Sequence, residues 1–316
     1  MYIKFFSQLN FKDAKIAGGK GASLGEMTRA GIPVPPGFVV LASAFEDFIK
    51  ENHLDVEIDA QLKKVNVKKV SSVEKVSKFL RSIIARKSVP KEIQKQILSD
   101  FDKLGAKYVA VRSSATAEDS KVASWAGELE TYLGIEKKDV IEAVRKCWSS
   151  LFTPRAIFYR IEKKLHGKLV SVAVVIQKMI ESEVAGVAFT VHPVTRDKNQ
   201  MILEGSWGLG ESVVSGKVTP DTYVVEKPKT KNQKLTILDI NVNAQTTSIA
   251  RIGRTTKERT VPKSKAGKQC LNNKQIIELA KICKKIEDHY GFPCDIEWAL
   301  EKGKFYITQS RPITTL

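Results

Sequence analysis

Cys294-Asp-Ile-Glu-Trp-Ala-Leu300 and Phe305-Tyr-Ile-Thr-Gln309 stand near the end of the chain as two short runs rich in β-branched and aromatic residues. Both read as strands. Alternate side chains of a strand share a face, so Asp295 and Glu297 lie together, as do the amide and guanidinium of Gln309-Ser-Arg311. If the two strands form a hairpin, Glu297, Gln309 and Arg311 converge. A carboxylate beside an amide oxygen suits a hard cation such as Mg2+, and a neighbouring arginine suits phosphate. The competing reading is a set of half-buried strand polars satisfied by the sheet.

Further strand-like runs precede them: Tyr108–Arg112, Val170–Ile176, Ala185–Val191, Met201–Glu204, Asp221–Glu226 and Leu235–Ile240. Helical stripes lie between. Ile276, Ile277, Leu279, Ala280, Cys283 and Ile286 share one face, between a cap at Asn272 or Asn273 and a stop at Gly291. Val140, Ile141, Val144, Trp148, Leu151 and Phe152 make another stripe, which Pro154 breaks or kinks. Ala42 to Glu51 and Val73 to Arg86 also read as helices. Such mixing predicts an α+β (mixed α/β) class. Helix-rich sequence gives way to strand-rich sequence near Lys178, which predicts a boundary between residues 1–177 and 178–316. Residues 253–270 are polar and aperiodic and are expected to form a surface loop.

Composition bounds the rest. The 316 residues are 42% hydrophobic and 28% charged, which excludes a disordered or collagen-like chain. A chain of this length buries roughly three quarters of its unfolded surface and needs no disulfide or structural metal. Net charge is +17, from 52 Lys+Arg against 35 Asp+Glu. That balance admits a nucleic-acid binder, a binder of small phosphorylated anions, or a lysine-rich solvated surface. The lysines are spread in pairs such as Lys63-Lys64 and Lys284-Lys285 without interleaved aromatics, which favours the surface reading over nucleic acid. Cys147, Cys270, Cys283 and Cys294 form no C-x-x-C pair, which suits a reducing cytoplasm. Met1-Tyr-Ile-Lys-Phe-Phe-Ser-Gln8 is no signal peptide, and no run of 18 apolar residues implies a membrane span.

Gly18-Gly-Lys-Gly-Ala-Ser-Leu-Gly25 offers backbone N–H groups and the Lys20 charge to an anion, ahead of a helix from Ala22 to Ala30. It lacks the Gly-Lys-Ser/Thr of a P-loop, and a plain glycine turn is the alternative. Val111-Arg-Ser-Ser-Ala-Thr-Ala-Glu-Asp119 places Arg112 at a strand end, fit for phosphate or for a structural pair with Glu118 or Asp119. Ser124-Trp-Ala-Gly-Glu-Leu-Glu-Thr131 puts Gly127 in a turn before a strand carrying Thr131. Glu204-Gly-Ser-Trp-Gly-Leu-Gly-Glu211 is a glycine-rich loop flanked by carboxylates. Of His53, His166, His192 and His289, none lies in a helix-start context that suits a phosphate acceptor.

Taken in order, these segments resemble the N-terminal nucleotide-binding domain of the phosphoenolpyruvate synthase (pyruvate, water dikinase) and pyruvate phosphate dikinase family, which includes rifampicin phosphotransferase. The segments that carry the resemblance are Gly18 to Met27, Ile32-Pro-Val-Pro-Pro-Gly-Phe38, Val111 to Asp119, Phe189-Thr-Val-His-Pro-Val-Thr195, Trp207-Gly-Leu-Gly-Glu211, Pro220-Asp-Thr-Tyr223, Asp295-Ile-Glu-Trp-Ala299 and Tyr306-Ile-Thr-Gln-Ser-Arg-Pro-Ile-Thr314. Residues 52–107 and 228–275 carry no distinctive match.

The resemblance implies an ATP-grasp-like fold with ATP between two lobes. It implies that Lys20 and Arg112 are phosphate ligands, that Thr131 lines the nucleotide pocket, and that Gln177, Met179 and Ile180 line adenine, with Glu183 at the ribose. Glu297 and Gln309 match Mg2+ ligands and Arg311 a phosphate-binding arginine. The implied activity is phosphate transfer from Mg·ATP, through a histidine on a swivelling domain, to pyruvate. The swivelling domain and the pyruvate-binding barrel are absent from this sequence and are expected elsewhere in a longer chain or on a partner. A rifampicin phosphotransferase-like donor and a non-catalytic nucleotide sensor are the alternatives. Two departures stand out: Arg196 replaces a glycine common in Val-Thr-Gly-Asp, and Glu128 replaces a common glutamine.

Overall fold

Residues 1–116, 130–163, 165, 170–228, 230, 233–253 and 255–313 are described in the computed structural model. They group into two compact units, Met1–Glu26 with Pro36–Met179, and Met27–Pro35 with Ile180–Leu316. The class is mixed α+β, as the alternation of patterns predicts.

In the first unit, Ile3–Phe5 (β1), Gly37–Val40 (β2), Val109–Ala115 (β3), Thr131–Ile135 (β4) and Val172–Lys178 (β5) form an antiparallel sheet in the order β1-β2-β5-β3-β4. β5 is buried from Val172 to Gln177, apolar as far as Ile176, as a strand covered on both faces must be. The helices are Ala14–Arg29 (α1), Ala42–Glu51 (α2), Asp55–Lys63 (α3), Val70–Arg86 (α4), Lys91–Leu104 (α5), Val140–Ser149 (α6) and Pro154–Glu162 (α7). Val140, Val144 and Trp148 of α6 are fully buried, with the Trp148 ring 4.8 Å from Phe48. Pro154 ends nothing itself: a 3-10 turn closes at Phe152, and Pro154 opens α7 behind Thr153, whose hydroxyl accepts from Ala156 N–H at 3.1 Å. Proline fits that first turn because its missing N–H has no helical partner there.

In the second unit, Val184–Phe189 (β6), Gln200–Trp207 (β7), Asp221–Glu226 (β8), Thr236–Asn241 (β9), Cys294–Glu301 (β12) and Lys304–Pro312 (β13) form an antiparallel sheet in the order β13-β12-β6-β7-β8-β9. Thr247–Ile252 (β10) and Thr255–Thr260 (β11) make a separate ribbon. Glu211–Val214 (α8) and Lys263–Ala266 (α9) are short. Asn273–Tyr290 (α10) is long, opened by the Asn272–Gln275 capping box and stopped by Gly291 in the left-handed region at φ 73°. Its buried stripe, Ile276, Leu279, Ala280, Cys283 and Ile286, packs on the sheet face that carries Met201, Leu203, Tyr223 and Ile296. On that face the Trp298 ring lies against Gly205, where an added Cβ would lie 3.3 Å from it. All four cysteines are buried thiols, and burial pushes Cys147 up to about 12. Among the described residues no helix is long and apolar enough to cross a membrane.

The expectation of a surface loop over 253–270 is wrong. Its first half is β11, and Val261, Cys270 and Leu271 are buried. The fully buried Asp221 carboxylate holds this stretch. Oδ1 accepts from Asn243 N–H and Gln245 Nε2, both at 3.0 Å, and Oδ2 accepts from Cys270 N–H at 2.7 Å and the Tyr223 hydroxyl at 3.1 Å. Aperiodicity misled because the anchor is one distant side chain rather than a hydrophobic stripe. Asp221→Asn turns one acceptor into a donor facing donors. It should destabilise the protein by about 2–3 kcal/mol, read as a lower urea midpoint together with faster proteolysis within 253–270.

Candidate functional site

Gly18 has φ 67° and ψ 167° and breaks α1, so the helix proper resumes immediately after it. The turn therefore sits further upstream than a helix from Ala22 requires, and Lys20 falls in the first turn after the break. The reason is Ser114 on β3. Its hydroxyl donates to Ala17 O at 3.0 Å and accepts from Gly21 N–H at 3.3 Å. A Cβ on Gly18 would lie 2.2 Å from that hydroxyl and 2.3 Å from Ser114 O. The close approach and the left-handed backbone both demand glycine.

Directly opposed residues of an antiparallel sheet share a face. Arg112 opposes Thr131 on β4 and Val175 on β5, while Ala110 opposes Gln177. Arg112, Ser114, Thr131 and Gln177 thus share one face, the one the glycine turn packs on. Arg112 and Gln177 are buried and Thr131 is exposed. Lys20 is near enough for its charge to pull the Cys147 thiol downward against the larger effect of burial. Just ahead of Thr131, the Glu130 carboxylate pairs with Arg81 at 2.8 Å and accepts from the Tyr132 hydroxyl, and Glu130 O accepts from Ser113 N–H at 3.2 Å. Met179 is buried, its N–H donating to Tyr108 O at 3.0 Å. Glu118, Asp119, Gly127, Glu128 and His166 lie outside the described residues.

In the second unit Glu297 stands directly opposite Gln309, and Asp295 opposite Arg311. The row continues from Glu297 to Val187 on β6, Glu204 on β7 and Thr222 on β8. Glu297, Gln309, Asp295, Arg311 and Glu204 therefore lie on the face away from α10. Ile180 packs on that same face against Ala185, Ala299 and Tyr306. Arg311 holds Asp295 Oδ2 through Nε at 2.8 Å and Nη2 at 2.7 Å. Burial raises the Asp295 carboxyl above its ordinary range against the pull of Arg311. Glu204 is raised by burial with no opposing cause.

Glu183 lies four positions before Val187 on the chain, about 13 Å along a strand. Its Oε1 accepts from Lys302 N–H at 3.1 Å and so braces the β12–β13 turn. Arg196 has φ 60°, the left-handed backbone that glycine adopts without strain; this accounts for glycine in the pattern it departs from. Three residues given no role by sequence reasoning matter here. Ser114 and Glu204 stood inside quoted motifs, and Asp295 alternates with Glu297; register alone reveals their placement.

Among the described residues no cluster of three or more His, Cys, Asp or Glu is built to hold a metal. One carboxylate opposite one amide oxygen instead fits Mg2+, which takes one or two protein oxygens and completes its shell with water and phosphate.

A family model described as pyruvate phosphate dikinase, AMP/ATP-binding domain, matches residues 14–316. A "Probable phosphoenolpyruvate synthase" of Methanothermobacter thermautotrophicus is 45% identical over all of this chain and 46% of its own length. The phosphoenolpyruvate synthase of Pyrococcus furiosus is 42% identical, with 44% of its length covered. A rifampicin phosphotransferase of Bacillus cereus is 35% identical, with 36% covered. The chain thus spans less than half the length of these relatives. Among solved structures, a D-alanine–D-alanine ligase of Bacillus anthracis aligns over 71% of this chain and 56% of its own at 12% identity and TM-score 0.29, too loose a superposition to carry an argument.

Two outcomes follow from the geometry. Gly18→Ala should lower stability by more than about 1 kcal/mol, measured by urea unfolding, because neither the backbone angle nor Ser114 can accommodate a methyl group. Glu204→Gln should raise stability at neutral pH. A raised folded-state pKa means the folded protein disfavours the charged carboxylate. The gain should disappear as pH falls through the ordinary glutamate range near ~4.3, which thermal melts across pH 3–8 would reveal.

Proposed function

Since the chain belongs to the pyruvate phosphate dikinase AMP/ATP-binding domain family, we propose that it binds Mg·ATP and is the phosphate-donating part of a phosphoenolpyruvate synthase-like dikinase. The observation that carries this reading is the pairing of Glu297 with Gln309 beside Asp295–Arg311 on one sheet face. In this reading residues 1–177 and 178–316 are the lobes of an ATP-grasp-like arrangement. Lys20 and Arg112 on the first and Arg311 on the second neutralise the polyphosphate. Gln177, Met179 and Ile180 line adenine, Glu183 lies toward the ribose, and Thr131 borders the pocket.

Phosphoryl transfer asks a protein mainly for position and charge. Glu297 and Gln309 would hold Mg2+, which supplies charge neutralisation across the phosphate oxygens. Arg112, pinned in the sheet with Ser114 fastening the turn that carries Lys20, presents a fixed cation with little reorganisation. Asp295 orients the Arg311 guanidinium. The acceptor is a histidine on a swivelling domain elsewhere in a longer chain or on a partner. Its ring nitrogen attacks the β-phosphorus, the bond to the α–β bridging oxygen breaks, and AMP leaves. Water then takes the terminal phosphate, and the pyruvate enolate oxygen takes the remaining phosphoryl group from the histidine. Net, ATP, pyruvate and water give AMP, phosphoenolpyruvate and phosphate. The likeness to a rifampicin phosphotransferase favours a second reading, in which a drug hydroxyl replaces pyruvate as the final acceptor.

Calorimetric titration with Mg·ATP tests the binding step. Lys20→Ala and Arg311→Ala together should weaken binding at least tenfold. No heat at millimolar ATP, or unchanged affinity in the double variant, would rule the reading out.

A further inference from the structure

We propose that Glu204 is a further binding residue of the magnesium–polyphosphate site, acting on the cation through its water shell. The inference rests on the nucleotide reading above and adds a residue to it. Glu204 shares a transverse row with Glu297 and Gln309, separated from Glu297 only by Val187. All point to the face away from α10, so both carboxylates rise from the sheet on either side of one small apolar side chain.

The spacing distinguishes direct from indirect contact. β12 and β7 are two strand intervals apart, about 10 Å between main chains. Two carboxylates sharing a bare Mg2+ must come within roughly 4 Å of each other, at ~2.1 Å per bond. A chain of carboxylate, cation, bound water and second carboxylate spans roughly 7 Å, from two ~2.1 Å bonds and a ~2.7 Å hydrogen bond. Two glutamates leaning slightly toward each other over Val187 meet the longer distance and not the shorter one. Mg2+ gives up water reluctantly, so this is the mode it favours.

The environment agrees. Among the described residues no cation or donor offsets the burial of the Glu204 carboxylate. The carboxylate is half-buried, so part of its hydration is lost without a protein cation in exchange. Asp295, one row away, has Arg311. Glu204 therefore gains from a cation that arrives with the ligand.

Mn2+ in place of Mg2+ allows the bound cation to be counted by electron paramagnetic resonance, with ATP saturating and no turnover needed. The wild-type chain should retain Mn2+ with ATP, and Glu297→Gln should lose it. Glu204→Gln should weaken retention by about 10–100-fold, as loss of an outer-sphere partner does, while its circular dichroism and thermal melt stay equal to or better than wild type. Glu204→Asp, which keeps the charge on a shorter arm, should recover part of the loss, and it stands in if the glutamine variant fails to fold. Retention by Glu204→Gln within twofold of wild type, with Glu297→Gln defective, overturns the proposal and leaves the nucleotide reading intact. Failure of the wild type to retain Mn2+ with ATP overturns that reading, and the role of Glu204 falls with it.

Discussion

The site face of the second unit depends on the register of a single hairpin. β12 and β13 turn through Lys302 and Gly303, both left-handed at φ 50° and 74°, the backbone of the tight turns that match strand twist. From Glu301 opposite Lys304 the ladder runs evenly to Trp298 opposite Ile307. It then slips by one residue, so Glu297 meets Gln309 and not Thr308. Without that bulge, Gln309 and Arg311 would point at the other face, since a slip of one flips every side chain beyond it. Glu183 stabilises the same register from outside by accepting from the N–H of Lys302, the residue held in the less favourable conformation.

The first unit solves a parallel problem with different means. A buried arginine must be held in place, and a glycine turn must be held without a side chain to grip it. Ser114 does the second by bonding both sides of the Gly18 break. Register does the first, setting the buried Arg112 between Thr131 and Val175 on neighbouring strands. Turn and arginine are two residues apart in their attachment to β3, so neither can shift without the other.

Carboxylates drawn wholly or partly from water mark both units, and they differ in kind. Asp221 is fully buried, receives four donors and fastens distant chain to the sheet. Glu130 receives Arg81 and Tyr132 and fixes the start of β4. Each is satisfied internally and is structural. Glu204 is half-buried, and among the described residues nothing offsets that burial, which sets it apart from the other two.

Much was legible in the chain itself. The period of α10, its asparagine cap and its Gly291 stop are local chemistry; the structure selects Asn272 over Asn273 as the cap and leaves Ile277 of the expected stripe only half-buried. Asp295 and Glu297 share a face because strands alternate. The glycines around Lys20 announce a turn ahead of a helix. What the linear order withheld was everything set by a distant partner: that 253–270 is bound by Asp221, that Gly18 is shaped by Ser114, and that Glu204 shares a row with Glu297. The bulge belongs to the same class. Periodicity reports which side of its own strand a residue takes, but only pairing with another strand decides which residue stands across from it, and the candidate site is made of residues that stand across from one another.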